Sequence, residues 1–253
     1  MTKLDLKNIA ENLIDTFFEA GKIAKEMSAR GIKITIKSDN SPVTDGDIAV
    51  DIILKKQIQK LTPNIPIISE ETVDFNSQNK SNDFWLIDPI DGTRDYIGKK
   101  EEYTLNAALI TNLKPSIGII YAPAKNRLFF SYGKNSAFEI NNQKVIKLNS
   151  ESKNKNIIIG LENSATTPNE VLNIYKENKV SKTIKMSSSL KFCVIAAGEA
   201  NIYAAKARAY EWDIAAGHAI LEHAGGTLTT HKKEVILYGK KNYKNLSIVA
   251  KGK

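Results

Sequence analysis

Cysteine is nearly absent from the 253 residues: Cys193 stands alone, so neither an intrachain disulfide nor a Cys-x-x-Cys metal knuckle can form, which fits a reducing compartment. Long apolar runs are missing too. Nothing approaches the roughly 20 residues that span a bilayer, and residues 1–27 mix acids and bases throughout, so they read as neither signal peptide nor membrane anchor. Arginine is scarce. Of 36 basic residues only Arg30, Arg94, Arg127 and Arg208 carry a guanidinium, although the formal net charge is +8. Bidentate base reading leans on arginine, so no nucleic-acid partner is expected; the lysine surplus is a solvated surface, or a diffuse field that draws in small phosphorylated metabolites. Histidine and serine chemistry find no frame either. His218 and His223 are five apart and share no helix face, no His-Glu-x-x-His occurs, and Ser187–Ser189 lack the Gly-x-Ser-x-Gly elbow. Cys193, inside an apolar helix, reads as core filler.

What is present is periodic. Leu6, Ile9, Leu13, Phe17, Ala20 and Ala24 recur in steps of three and four, predicting one amphipathic helix over residues 4–27. A strand is predicted at Ile32–Ile36. The turn-rich SDNSPVTDGD, residues 38–47, places Thr44 three residues before Asp47, a capping arrangement that predicts a helix through Leu61. Pro63 and Pro66 bracket its exit, and Ile65–Ile68 predicts a strand running into Ser69, Glu70 and Glu71. Five β-rich segments, 104–110, 116–121, 128–132, 137–140 and 145–148, predict a largely antiparallel sheet. Beyond the polar stretch 150–156 strands and helices alternate: strand 157–160, helix 168–178, strand 182–186, helix 189–197, strand 201–205 and helix 213–224. Such alternation marks an α/β arrangement. One domain, 1–253, is expected, with an α+β lobe over 1–150 and an α/β lobe over 151–253.

Chemistry concentrates in WLIDPIDGTRDYI, residues 85–97. An apolar strand from Phe84 to Ile87 ends in Asp88 and Asp91, and Pro89 stiffens the turn between them. Hard divalent cations such as Mg²⁺ take oxygen ligands in near-octahedral geometry, which a stiff carboxylate pair can supply. Glu70, also at a strand end, and Asp213, in YEWDIAAGHAIL, are further candidates; alone, the first reads as a solvated loop and the second as a helix N-cap. Gly92 lets backbone approach an anion, Thr93 offers its hydroxyl to a water nucleophile, and Asp47 is placed to orient Thr93. Trp85 and Trp212 are expected to pack behind the acids.

The ordered set KSDNSPVTDGD, SEE, DPIDGT, SSSLK and EWDIAAGHAI resembles the lithium-sensitive, magnesium-dependent inositol monophosphatase superfamily, and within it the bacterial 3′(2′),5′-bisphosphate nucleotidase branch, over nearly the whole chain. The resemblance implies a layered αβαβα fold of the α/β class and two or three Mg²⁺ ions. It implies metal ligation by Glu70, Asp88, Asp91, Asp213 and the carbonyl of Ile90, and catalysis by Glu70, Thr93 and Asp47. Substrate contacts are implied at Asp91, Gly92, Thr93, Ser188, Ser189, Lys191 and Asp213, with a mobile, metal-responsive loop at residues 38–44. It further implies hydrolysis of the 3′-phosphate of adenosine 3′,5′-bisphosphate in sulfur metabolism. The expected place is the cytoplasm, peripheral attachment to the inner membrane face being the other possibility.

One position departs from the pattern. Related nucleotidases carry arginine in a Tyr-Pro-Arg-like strand before Glu-Trp-Asp, and here the stretch is YAAKARAYEWD with Ala205 in that place. Lys206 and Arg208 are nearby cations, but strand neighbours point to opposite faces and lysine lacks the planar fork. An inositol or sugar phosphatase of the same superfamily is therefore the alternative. A non-catalytic polyanion-binding protein is the alternative from another class.

Overall fold

Helical layers and sheets alternate through the molecule, and the recurrence of apolar positions accounts for each. The computed structural model describes residues 5–37, 40–77, 79–154, 156–163 and 166–253. The helix expected over 4–27 is two, α1 (Leu6–Glu11) and α2 (Ile14–Arg30). The break falls where the Asn12 side chain donates to the Asn8 carbonyl at 2.7 Å, offering the backbone an alternative to helical bonding. Strands β1 (Ile34–Ile36) and β2 (Pro42–Thr44) form a hairpin that pairs Ile34 with Thr44. Thr44 caps α3 (Asp45–Leu61) with a reciprocal box to Asp47, and that helix ends where the pattern puts its end.

The first sheet follows from β3 (Ile67–Ser69), β4 (Phe84–Asp91), the short helix α4 (Thr93–Ile97), β5 (Thr104–Thr111), β6 (Lys114–Ala122), β7 (Arg127–Ser131), β8 (Ala137–Asn141) and β9 (Lys144–Lys147). Its seven strands lie in chain order, parallel between β3 and β4 and antiparallel thereafter. The second half runs β10 (Ile159–Glu162), α5 (Asn169–Glu177), β11 (Lys182–Lys185), α6 (Leu190–Ala196), β12 (Ile202–Ala205), α7 (Glu211–His223), β13 (Thr227–Thr230) and β14 (Ile248–Lys251). These strands order as β11-β10-β12-β14-β13.

Strand alternation sorts side chains between two cores. Trp85 and Ile87 of β4, with Leu105, Ala107 and Leu109 of β5, pack against Phe17, Val50 and Leu54 of α2 and α3. Phe84 and Leu86, with Ala108 and Ile110, face the other way, onto α6, α7 and the second sheet. On the far side of that sheet Val171 and Tyr175 of α5 cover Ile202 and Ala204. The layers are thus αβαβα. The central core draws residues from both sides of the polar stretch 150–156, from Ile68 to Ala250. Fully burying one such side chain contributes roughly 1.5–3 kcal/mol. α7 is buried along most of its length, from Glu211 to Leu221 with Asp213 half-buried, and it sits so close to β6 that a Cβ on Gly118 would lie 2.3 Å from the Ala216 carbonyl oxygen. No helix of the described residues is long and apolar enough to cross a membrane.

Candidate active site

Simple alternation would put Asp88 and Asp91, three apart, on opposite faces of β4. The structure prevents this with a bulge. Asp88 pairs with Asn106 and Asp91 with Thr104, so three steps on β4 meet two on β5. Ile87 and Ile90 consequently both enter the α2–α3 core, while the opposite face, which looks toward α7, receives both acids. Pro89 has no N–H to give the ladder and sits at the bulge, where that loss is tolerated.

Three carboxylates converge there. Single oxygens of Glu70, Asp88 and Asp213 lie within 4.8 Å of one another, brought from the end of β3, from β4 and from the first turn of α7. Burial pushes the Asp88 carboxyl well above the usual range, and the charges of Glu70, Asp91 and Asp213 push it further. Burial likewise lifts Asp213, with Asp91 and Glu70 adding, although its Oδ2 accepts the Tyr210 N–H at 2.8 Å. Burial raises Glu70 too, against the pull of the Lys37 ammonium. Lys37 Nζ stands 3.2 Å from Glu70 Oε1 and 2.8 Å from Glu71 Oε2. Asp91 stands at the edge of the three: its Oδ2 accepts the Ser189 N–H at 2.5 Å and the Ser189 hydroxyl.

Asp47 has two roles in one carboxylate. Its Oδ2 closes the α3 cap on Thr44, at 2.8 Å from the amide and 2.5 Å from the hydroxyl, while Oδ1 faces the Thr93 hydroxyl at 3.4 Å. Burial raises it to about 6 despite those Thr44 bonds. Thr93 Oγ1 also reaches the Ile90 carbonyl at 3.1 Å. Gly92, at φ +91°, holds the left-handed conformation that lets β4 turn directly into α4.

The run Ser187–Lys191 lies across from these acids. Ser189 Oγ accepts from Asn106 Nδ2 at 2.6 Å, and Ser188, at φ +54°, offers its carbonyl to Lys191 Nζ at 2.6 Å. Lys191 does not snorkel to the surface. It is 4% exposed, its ammonium lies 5.0 Å from the Tyr203 ring centre, and burial lowers it to about 8 in spite of the Asp91 charge. Asp91, Gly92, Ser188, Ser189, Lys191 and Asp213 all line one cavity of about 470 Å³. Trp85 is buried behind β4, its indole N–H donating to Thr62 Oγ1 at 3.0 Å.

A sequence profile of the inositol monophosphatase family matches residues 5–252. The chain belongs to the inositol monophosphatase family. Among relatives, the 3′(2′),5′-bisphosphate nucleotidase CysQ of Buchnera aphidicola subsp. Acyrthosiphon pisum is 37% identical over 233 residues, covering 89% of this chain and 87% of the relative. The enzyme of the same name from Escherichia coli O157:H7 is 34% identical over 219 residues, 86% and 85% of the two chains. The crystal structure of CysQ from Bacteroides thetaiotaomicron, described as a bacterial member of the inositol monophosphatase family, superimposes with a TM-score of 0.80 at 26% identity over 98% of each chain. The five-layer architecture is therefore the inositol monophosphatase fold.

Within this family member, three polar residues at the site escape the sequence reading. Lys37 opens the quoted run KSDNSPVTDGD, but its role has no local signature, since its partners lie more than thirty positions on. Glu102 accepts the Ser187 N–H at 2.8 Å from a loop that looks merely solvated. Asn106 did carry a signal: an amide inside the apolar run TLNAALI calls for a buried partner. Of the metal-responsive loop expected at 38–44, Ser38 and Asp39 lie outside the described residues.

Proposed function

We propose that the chain is a Mg²⁺-dependent phosphomonoesterase that removes the 3′-phosphate of adenosine 3′,5′-bisphosphate, leaving AMP and inorganic phosphate, in the cytoplasm. The observation that carries this reading is the convergence of Glu70, Asp88 and Asp213 beside a cavity that also holds Lys191, in a chain 34–37% identical to bisphosphate nucleotidases. The donor set fits a hard cation. Oxygen ligands alone surround the point, buried like charges there call for neutralisation, and the nearby Asn106 Oδ1 is buried with no donor among the described residues. Glu70, Asp88, Asp91, Asp213 and the Ile90 carbonyl would hold Mg²⁺, two or three ions in all. When bound, the metal neutralises phosphate charge and makes water acidic enough to attack near neutral pH.

The chain's own groups supply positioning. Thr93 donates its hydroxyl toward Asp47 and keeps lone pairs for a water, which Glu70 orients from the other side. The amides following Gly92 open α4 toward the cavity and meet phosphate oxygens. Ser188, Ser189 and Lys191 contact the substrate on the far wall, where a buried ammonium favours an anion. The test is a panel of phosphate esters with Mg²⁺. Turnover should be fastest on the bisphosphonucleotide and should vanish with EDTA or with Asp91→Asn. Faster turnover of inositol 1-phosphate would reject the substrate, and undiminished phosphate release by Asp91→Asn would reject the chemistry.

A further inference from the structure

Residues 231–247 join β13 to β14 and cross the N-terminal end of α7 as a strap. The strap grips the residues before Asp213 twice. Near its end the Asn245 N–H donates to the Ala209 carbonyl at 3.0 Å, and Asn245 Nδ2 donates to the Tyr210 carbonyl at 2.6 Å. Near its middle the grip is one side chain of α7. Glu211, the first residue of that helix, is fully buried; its Oε2 accepts the Gly239 N–H at 2.8 Å and its Oε1 the Lys240 N–H at 2.9 Å. Gly239 has φ +84°, the left-handed conformation in which successive amides converge on one anion. Lys240 Nζ stands 2.6 Å from the same Oε1 and also donates to the Leu237 carbonyl at 2.6 Å.

Glu211 belongs neither to the carboxylate cluster nor to the lining of the main cavity. A buried carboxylate is costly unless paired and hydrogen-bonded, and the partners that satisfy this one all come from the strap. What it joins is informative. Asp213 follows two residues later on the same helical turn, while Asn245 and Leu246 of the strap line the main cavity beside Asp213 and Ile214. Tyr243 of the strap packs on Trp212, with ring centres 5.9 Å apart, so no gap separates strap from helix there. A shift of the strap therefore moves a cavity wall and a metal-facing carboxylate together.

We infer that Glu211 is a positioning residue: by pinning the strap to the first turn of α7 it sets Asp213 toward the metal and Asn245 and Leu246 toward the substrate in one geometry. The inference rests on the proposed function for the Mg²⁺ ion and the phosphorylated substrate. Glu211 touches neither.

The test measures Mg²⁺ binding by calorimetry, which needs no turnover, on wild type, Glu211→Gln, Lys240→Met and Val171→Ala. Glu211→Gln should weaken Mg²⁺ about 10-fold, as for groups that hold a metal ligand from behind; kcat should recover at saturating Mg²⁺ while KM stays raised. Lys240→Met should weaken it by a smaller factor, through the loosened strap. Sign decides here, because deleting a cation would tighten Mg²⁺ binding if charge alone mattered. Val171→Ala, in the separate core beneath α5, should lower Tm and leave Mg²⁺ affinity unchanged. Unchanged affinity in Glu211→Gln, tighter binding by Lys240→Met, or equal weakening by Val171→Ala overturns the inference. Should wild type favour inositol 1-phosphate, the substrate reading fails by itself, and the calorimetry still decides the role of Glu211. A wild type that binds no Mg²⁺ sinks both.

Discussion

Replacing Asp88 by asparagine should make the metal-free protein more stable while abolishing its function. Glu70, Asp88 and Asp213 approach within 4.8 Å, where two full charges at an effective dielectric constant near 20 repel by about 3.5 kcal/mol. Partial protonation and the Lys37 ammonium relieve much of this, so an amide at position 88 should recover on the order of 1–3 kcal/mol. Asp88 donates or accepts no hydrogen bond among the described residues that asparagine would lose, and the two side chains have nearly the same volume. In a chain of this length each kcal/mol moves Tm by roughly 2–4 °C, so the metal-free variant should melt about 2–12 °C above wild type. Mg²⁺ should reverse the order. Ligand at a hundredfold excess over its Kd adds about 2.7 kcal/mol to a protein that binds it and nothing to one that does not. Thermal melts in EDTA and across a Mg²⁺ titration, with phosphate release measured alongside, read all three effects. A lower Tm for Asp88→Asn in EDTA, or equal Mg²⁺ stabilisation of both proteins, would refute the idea that these acids form a repulsive, cation-requiring cluster.

Lys37→Met removes the ammonium that faces Glu70 and Glu71, so it should lower Tm in EDTA and widen the Mg²⁺-induced rise, both visible in the same melts. His223 predicts an acid limb. Burial holds it at about 4, below its unfolded value near 6.5, and Nδ1 accepts the Gly133 N–H at 3.2 Å, a bond that protonation breaks. Between those values the unfolded chain binds the extra proton, so the contribution is full above pH 6.5 and about 3 kcal/mol is lost as pH falls toward 4. Urea unfolding of His223→Gln over that window should show a flatter dependence than wild type. Gly118→Ala places a methyl 2.3 Å from the Ala216 carbonyl oxygen, and should cost about 1–3 kcal/mol and reduce kcat by shifting α7 and Asp213; an unchanged Tm would mean that the helix moves freely.

Local signals were legible in the sequence and long-range ones were not. The Thr44–Asp47 box, the end of α3 at Leu61 and the acids closing β4 each depend on neighbours within a few positions. Steps of three and four could not reveal that Asn12 breaks the first helix, because that depends on one side chain choosing a carbonyl over solvent. β2 hides behind Ser41 and Pro42, and β13 behind a threonine-rich run whose outer face is exposed. The turn expected between Asp88 and Asp91 is a bulge within the strand, since pairing with β5 continues to Thr104 and supplies a constraint that no local pattern carries. Arg208 shows the same limit in reverse: it lines the main cavity from just beyond β12, whose end at Ala205 is set by pairing with Ile248 of β14.

The bulge and α7 together explain how a repulsive cluster persists. The bulge puts both aspartates on the face toward α7, and α7 brings Asp213 from the second half of the chain on a helix buried from Glu211 to Leu221, Asp213 itself being half-buried, between two sheets. Small residues permit that approach: Gly118 on β6 faces Ala216, and Gly217 lies where a Cβ would meet the Phe192 ring at 2.4 Å. A helix so enclosed cannot tilt to relax Asp213 without opening apolar contacts to both sheets, each large buried side chain among them worth roughly 1.5–3 kcal/mol. The packing energy of the two sheets therefore exceeds the Coulomb energy that a single acid would gain by moving away. A cluster carried on flexible loops would open instead, and its oxygens would have to be gathered again at each binding event. Rigidity here is a property of the core, so substitutions that loosen α7 should weaken metal binding even though they touch no acid.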